Sequence, residues 1–270
     1  MLARGWARAL CFLMKTPCFL LSAVIALAAL VVSAEELPPT FLTLRGKELR
    51  RESLGSLPAL STDKPKGFAS GFAGWRFSTA SNGGKSGRWE LADAAFHGIE
   101  SATASHPATA SFGLPYQDAV IQIDVRLNDV PAEGRKYRSI FVKATDEKDY
   151  VTAFFVSPTG SNLTAYSAER ISPVNKQREK EPPVGVPQAL KLGEWYTVVL
   201  EIRGDEAVGT LAGKSVWSKH PLFAKPKCSV MLGVGVDASF RNFRIWEALP
   251  NPEWAKNKES ILATLPPAKK

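Results

Sequence analysis

Side chains that could exchange protons or bind a metal ion are few in this sequence of 270 residues, which contains three histidines and three cysteines. The histidines His97, His106 and His220 do not show the H-x-x-x-H spacing of a metal-binding pair. Only Cys228 lies beyond the first 34 residues, and one cysteine cannot build an internal disulfide or a cysteine-based zinc site. We therefore predict no metal and no cofactor. The residues expected to act as an acid or a base are Asp124, Asp149 and His97.

Asp124 and Arg126 lie on the polar side of the clearest strand in the sequence. Over Ala119–Leu127, apolar residues at the odd positions alternate with Val120, Gln122 and this pair, which is the period of two expected when one face of a strand covers a core. If the polar side lines a binding surface, Asp124 and Arg126 grip a ligand. If it faces solvent, they form a cross-strand ion network worth less than about 1 kcal/mol. The pattern leaves both interpretations open.

Two cationic side chains accompany the next predicted strand, Ser139–Ala144. Arg138 precedes it directly, Lys143 lies within it, and Tyr150 begins the strand after it. If these strands are antiparallel neighbours, Arg138, Lys143, Asp149 and Tyr150 gather in one patch. The two cations would there stabilise an oxyanion or polarise a keto oxygen beside an acid or a base.

Short alternating segments separated by turn residues must position these side chains. Trp195–Arg203 repeats the alternation, with Trp195 and Thr197 on one side and Tyr196 and Val198 on the other. The other predicted strands are Phe41–Leu44, Trp89–Leu91, Ala94–Ile99, Thr109–Phe112, Ser139–Ala144, Tyr150–Ser157, Leu163–Ser167, Ala207–Leu211, Cys228–Val234 and Phe240–Glu247. About a dozen short strands and no long amphipathic helix predict an all-β fold, either a β-sandwich or a barrel. Two antiparallel sheets packed face to face would account for both the alternation and the apolar content, so we expect the β-sandwich.

The rest of the chain divides into a leader, a lead-in segment and a tail. Residues 35–67 are predicted to lead into a β-sandwich domain at 68–248, and residues 249–270 to form a polar tail with a helix over Pro252–Leu265. Glu169–Gln188 is dense in charge and proline, and we expect it to be the longest segment without regular structure.

Residues 1–34 have the composition of an export signal. Arg4, Arg8 and Lys15 precede an apolar run over Phe19–Val32, and Val32-Ser33-Ala34 suits signal peptidase. The alternative is an uncleaved anchor, although the run is shorter than the roughly 20 residues that span a bilayer. We therefore predict a secreted or periplasmic chain that has no membrane contact after cleavage.

The charge of the remaining chain argues against nucleic acid as a partner. The leader holds three of the 34 basic residues and none of the 26 acidic ones, which leaves a net charge of +5. These charges are scattered, whereas nucleic-acid binding requires a clustered basic footprint.

Three stretches carry a resemblance to a known family. They are Gly74-Trp75 with the segment Gly87–Gly98, the lead-in Leu44-Arg45-Gly46-Lys47, and the closing segment Ala238–Trp246, which contains Phe240-Arg241-Asn242-Phe243-Arg244-Ile245. Together they resemble the 3-keto-disaccharide hydrolase-type domain family over about residues 41–248. This resemblance implies a concanavalin A-like jelly roll and a carbohydrate ligand.

The chain differs from the family at the positions where enzymatic members have acidic residues. Enzymatic members have an acidic residue after the tyrosine of a central strand, and Val151 follows Tyr150 here. The E-x-D-x-x-E strand of jelly-roll glucanases is absent from the sequence, so the paired carboxyl groups of an ordinary glycosidase are missing. Elimination from a 3-keto sugar needs one base and one carbonyl polariser, and it fits the sparse acids better.

The predicted function is therefore carbohydrate binding or processing, with glycoside hydrolysis or elimination as its enzymatic form. The residues expected to bind the sugar are Arg138, Lys143, Tyr150, Trp75 and Tyr166. The alternative for the aromatic residues is burial in the core. The alternative for the whole chain is a non-catalytic interaction or structural domain of the cell envelope.

The hairpin Trp89–Phe96, with a turn at Ala92-Asp93, is interpreted as scaffold because its large side chains alternate. His97, which directly follows this segment, either faces the groove as an acid or base or lies half-exposed on an outer face. Gly98 is expected at a bulge or a close contact, and Asn242 is expected to bond a neighbouring backbone group.

Overall fold

A computed structural model describes residues 36–52, 69–72, 74–78, 87–103, 106–132, 137–147, 150–171, 178–180 and 183–266. The strands are β1 (Thr43–Glu52), β2 (Ala69–Phe72), β3 (Trp75–Ser78), β4 (Gly87–Ala92), β5 (Ala95–Glu100), β6 (Ala108–Tyr116), β7 (Ala119–Leu127), β8 (Ser139–Thr145), β9 (Tyr150–Ser157), β10 (Gly160–Ile171), β11 (Arg178–Lys180), β12 (Val184–Pro187), β13 (Tyr196–Arg203), β14 (Glu206–Leu211), β15 (Lys214–Lys219), β16 (Lys227–Gly235) and β17 (Asp237–Pro250). A short 3-10 helix covers Pro221–Ala224, and helix α1 covers Trp254–Thr264.

The strands form two antiparallel sheets. Sheet A has the order β15-β14-β13-β7-β17-β5-β4, and β1 pairs with the second half of β17. Sheet B has the order β11-β10-β9-β8-β16-β6-β3-β2, and β12 also pairs with β10. Neighbours in the sheets are often distant in the chain, as in β7 beside β17 and β6 beside β16. The predicted all-β jelly-roll sandwich of two antiparallel sheets is confirmed.

The alternation in β7 decides which side chains enter the core. The strand spans the predicted Ala119–Leu127, and its odd-numbered side chains are buried between the sheets. On β13, Val198 pairs with Ile123 and Leu200 pairs with Ile121, so the inward side chains of neighbouring strands meet. The even-numbered side chains of β7, Asp124 and Arg126 among them, therefore lie on the outer face of sheet A.

Large aromatic rings fill the core between the sheets. Trp75 is 0% exposed, and its ring centroid lies 5.4 Å from that of Phe96 and 5.2 Å from that of Phe243, both in edge-to-face geometry. Gly98 makes the predicted close contact, because a Cβ there would lie 2.8 Å from a methyl carbon of Val234. Trp89 packs on the same strand pair. The β4–β5 hairpin is thus scaffold, as predicted.

Some predicted boundaries are wrong. The strand expected at Phe41–Leu44 is instead the ten-residue β1, whose charged residues do not alternate and which forms by pairing with β17. The described parts of Glu169–Gln188 contain the end of β10 and the strands β11 and β12, which form by pairing with β10. In both cases the partner strand supplies a hydrogen-bonding edge that no local pattern reveals.

Helix α1 lies within the predicted tail helix and packs on sheet A. A small second cluster joins Leu42, Val208 and Ile261 with the rings of Trp217 and Trp254. Among the described residues, no helix is both long and apolar enough to cross a bilayer. The predicted export signal lies outside the described residues.

Candidate functional site

Polar and aromatic side chains gather on the outer face of sheet A where β13, β7 and β17 lie side by side. Their order follows from the register, since Thr197 pairs with Asp124 and Arg241 pairs with Asp124 from the other side. We call this surface the Trp195 face and define it by Asp124, Arg126, Asn128, Trp195, Thr197, Ser239, Arg241 and Asn242.

Trp195 is the aromatic centre of this face. It directly precedes Tyr196, which pairs with Val125, so its indole lies beside Arg126. The guanidinium carbon of Arg126 is 4.7 Å from the ring centroid, and that of Arg241 is 4.2 Å from it. Both distances are those of cation–π contacts, each worth about 0.5–1 kcal/mol at an exposed site. The indole is only half-buried, so part of it remains accessible.

The carboxylate of Asp124 is held in place by neighbours on two strands. Thr197 Oγ1 donates a 2.7 Å hydrogen bond to Oδ1, and Asn242 Nδ2 donates a 2.7 Å hydrogen bond to Oδ2. Arg241 Nε lies 3.4 Å from Oδ2, and the Asp124 side chain is 15% exposed. The carboxylate therefore has a fixed orientation, and some of it remains accessible.

Asn242 reaches this face because β17 contains a bulge. The register slips between Arg241 and Arg244, and Asn242 has a φ of 54°, a left-handed conformation that asparagine tolerates better than most residues. The predicted bond from Asn242 to backbone is wrong, since its amide donates to the side chain of Asp124. The extra residue also lets Phe243 enter the core.

His97 bridges two carboxylates on the same outer face. Its Nδ1 lies 3.0 Å from Glu90 Oε1, and its Nε2 lies 2.7 Å from Asp237 Oδ1. A neutral imidazole could donate to only one of them, so this arrangement favours the imidazolium. The hydrogen bond with Asp237 is the main cause that raises the pKa of His97 above its usual value. Of the two predicted alternatives, the structure shows the partly exposed outer-face position.

A chain of hydrogen bonds joins His97 to the Trp195 face. Asn128 Nδ2 donates to Asp237 Oδ1 at 2.6 Å and to Ser239 Oγ at 3.0 Å. Arg126 Nε in turn donates to Asn128 Oδ1 at 2.8 Å. The proton on His97 is therefore linked to the guanidinium that stacks on Trp195.

Asp124 and Lys143, an expected acid or base and an expected sugar-binding residue, do not come together. Lys143 lies on the outer face of sheet B, because Val142 and Ala144 on either side of it enter the core. Asp124 lies on the outer face of sheet A, so the two side chains face away from each other across the sandwich. The local pattern could not show this, since it does not say which sheet a strand joins.

Arg138 contacts the backbone of the segment after β7, and its predicted role as a sugar ligand stays a prediction. Its guanidinium donates to the backbone oxygens of Asn128 and Val130 and so holds the segment after β7. The predicted role of Trp75 in sugar binding is wrong, because its ring is enclosed in the core. Asp149 lies outside the described residues, and of Tyr150 and Tyr166 only the backbone is described.

The centre of the outer face of sheet B is filled by buried side chains. Phe141 is 4% exposed and Lys143 is 7% exposed, with the Lys143 Nζ 4.0 Å from the Phe141 ring centroid. The Phe141 ring lies over Gly233, where a Cβ would come within 1.7 Å of it. Val151, at the position of the family's acidic residue, is fully buried.

The members of the Trp195 face that were missed as candidates include Trp195, Arg241 and Asn128. The sequence pattern could have identified Trp195, because Trp195 and Thr197 are two residues apart and therefore lie on the same, polar side of the strand. Arg241 is two residues from Ser239 in the closing strand, so both lie on the same side of it.

Within the described residues, no group of three or more histidine, cysteine, aspartate or glutamate side chains is placed to hold a metal ion.

No protein-family model and no curated protein matches the sequence. Among solved structures, the chain is similar to the carbohydrate-binding module CBM66 from Bacillus subtilis, at 13% identity and a TM-score of 0.48 over 64% of this chain and 96% of the other. It is also similar to a β-glucanase from Bacillus licheniformis, at 8% identity and a TM-score of 0.49 over 76% of this chain and 99% of the other. A third is SCLam, a non-specific endo-β-1,3(4)-glucanase of family GH16, at 11% identity and a TM-score of 0.49 over 78% and 94%. Similarity at this level carries no argument about a ligand, and membership of the 3-keto-disaccharide hydrolase-type family stays a prediction.

Proposed function

We propose that this chain is an exported carbohydrate-binding β-sandwich that holds its ligand on the Trp195 face. The observation that carries the proposal is a half-buried indole surrounded by polar side chains that are already held by hydrogen bonds. A sugar offers an apolar C–H face to an aromatic ring and hydroxyl groups to fixed donors and acceptors. Export enters the proposal through the leader at residues 1–34.

The orientation of the polar groups supports binding at low entropic cost. Asp124 offers a carboxylate acceptor that is fixed by Thr197 and Asn242, and Arg241 offers donors beside it. Because these side chains are ordered by contacts within the protein, a ligand does not have to immobilise them.

We propose binding rather than turnover as the main activity. Asp124 and Lys143, which were both expected in the site, lie on opposite outer faces of the sandwich, with Asp124 on sheet A and Lys143 on sheet B. Besides Asp124, which lies on the Trp195 face itself, His97 is an acid or base connected to this face through Asp237 and Asn128. Processing of 3-keto glycosides is therefore tested as a second activity, one that would depend on His97.

The experiment is a glycan array followed by calorimetric titration of the best ligand. Trp195→Ala is expected to weaken binding about tenfold, because stacking on an aromatic ring contributes about 0.5–1.5 kcal/mol beyond burial. Phe155→Ala is the matched control, since Phe155 is a partly exposed aromatic residue on the outer face of sheet B. Both variants are checked by thermal melting.

Three results would contradict the proposal. Loss of binding in Phe155→Ala with unchanged binding in Trp195→Ala would move the site to sheet B. Absence of binding to every glycan would favour a structural domain of the cell envelope. Turnover of a 3-keto glycoside that disappears in His97→Gln would make the chain an enzyme.

A further inference from the structure

Two arginines share one indole ring on the Trp195 face, and their charges are incompletely balanced. Both guanidinium groups are cationic at every ordinary pH, and like charges that lie this close repel each other. Among the described residues, Asp124 is the one carboxylate within ion-pair distance of either, 3.4 Å from Arg241 Nε. The hydrogen bonds of Arg126 go to the neutral side chains of Asn128 and Ser239. The face around the ring therefore carries an excess of positive charge.

Arg241 also has donors to spare. Its side chain is 39% exposed, and within the described part of the chain its two Nη atoms donate no hydrogen bond. The Nη1 atom of Arg126 likewise donates no hydrogen bond within the described part of the chain. A guanidinium presents parallel N–H groups that match two oxygens of a carboxylate or a sulfate. The geometry thus offers a fork for an anionic group beside an aromatic surface.

Asp124 does not occupy the Nη donors of Arg241. The two carboxylate oxygens of Asp124 accept hydrogen bonds from Thr197 and Asn242, and these bonds hold the carboxylate in place. Only the Nε edge of Arg241 faces it. The outward edge of the guanidinium is left for a ligand.

The surroundings favour a single anionic group over an extended polyanion. Glu90 and Asp237 lie on the same outer face on the side of His97, and they place negative charge there. A nucleic acid needs a continuous basic track along its backbone, and the two carboxylates interrupt such a track.

We infer that the sugar bound on the Trp195 face is anionic, carrying a carboxylate or a sulfate ester, and that Arg241 and Arg126 bind this group while the indole of Trp195 contacts the ring. This inference rests on the proposed carbohydrate-binding function and specifies its ligand class. A carboxylate and a sulfate offer the same pair of oxygens to a guanidinium, so the experiment includes both.

The test uses an array of matched pairs, in which each neutral hexose is printed beside its uronic acid and beside its sulfate ester. The acidic members are expected to bind more tightly, and their binding is expected to weaken as salt is added. In Arg241→Gln, affinity for the acidic member should fall about tenfold, or about 1.4 kcal/mol, because the charge-assisted hydrogen bonds of the guanidinium are lost. Affinity for the neutral member should fall by much less, so the ratio of acidic to neutral affinity should drop.

Two further variants keep the result interpretable. Arg241→Lys retains the charge but lacks the fork, so it is expected to recover part of the affinity for acidic sugars. Arg203→Gln removes a cation from β13 outside the Trp195 face and is expected to leave all binding unchanged. Melting temperatures of all three variants exclude unfolding as the cause.

The outcomes separate this inference from the proposed function. Equal binding of neutral and acidic members, with no effect of Arg241→Gln, would overturn the inference and leave carbohydrate binding intact. Absence of binding to any sugar would remove both. Equal binding of single-stranded DNA and acidic sugars would also overturn it, because the face would then recognise charge alone.

Discussion

Glu201 on β13 is fully buried, and it holds the segment that leads into β1. Phe41 N donates to its Oε1 at 2.9 Å, and Thr43 N and Thr43 Oγ1 each donate to its Oε2 at 2.8 Å. Burial raises the pKa of the Glu201 carboxyl, against the opposing effect of these hydrogen bonds. We predict that replacing this side chain destabilises the protein in proportion to the donors that lose their acceptor.

The expected magnitudes follow from counting these donors. Glu201→Leu leaves all three donors without an acceptor, and at about 1 kcal/mol for each it should lower the free energy of unfolding by about 3 kcal/mol. Glu201→Gln retains one oxygen for Thr43 but turns an NH2 group toward Phe41 N, so it should cost about 1 kcal/mol. The relief from no longer burying a charge reduces both losses.

Urea unfolding measures the free energies, and amide hydrogen exchange at Phe41 and Thr43 reports the local effect. Glu247→Gln is the control, because Glu247 is exposed on β17 and the substitution should change neither quantity. A Glu201→Leu variant as stable as Glu201→Gln would refute the reasoning. So would unchanged protection of the Thr43 amide, since it would show that the carboxylate does not hold this segment.

Two further predictions concern His97 and the core. The pKa of His97 is raised by its bond with Asp237, so its contribution to stability is complete below its unfolded pKa of about 6.5 and is lost as pH rises through the folded value. Urea unfolding at about pH 6 and about pH 9 should therefore show a larger loss in the wild type than in His97→Gln, and equal losses would contradict the ion bridge. Ile123→Asp buries an unpaired carboxylate in the core and should abolish the cooperative thermal melt followed by circular dichroism, whereas Leu249→Asp at an exposed position should retain it. A native melt for Ile123→Asp would show that the register of β7 is wrong.

The sequence identified Asp124 and His97 as polar strand residues, but it did not identify the side chains that they contact, for a physical reason. Asp124 and His97 were placed on polar positions of strands, and both lie on the outer face of sheet A. Their partners Thr197, Asn242 and Asp237 come from strands far away in the chain, and strand pairing alone brings them together. Such pairings depend on contacts between segments that are far apart in the chain, which no local pattern contains.

The sequence by itself determined the strands with clear alternation and the side of each of them that enters the core. Burial of apolar side chains with a period of two is a local property, so Ala119–Leu127 and the hairpin containing Trp89 and Phe96 could be predicted. The sequence did not determine which outer face each polar position shares. Only the tertiary structure placed Arg126 and Arg241 against the ring of Trp195 and Lys143 on the opposite outer face. The reason is that a sandwich has two outer faces, and the order of the strands decides which face a polar side chain joins.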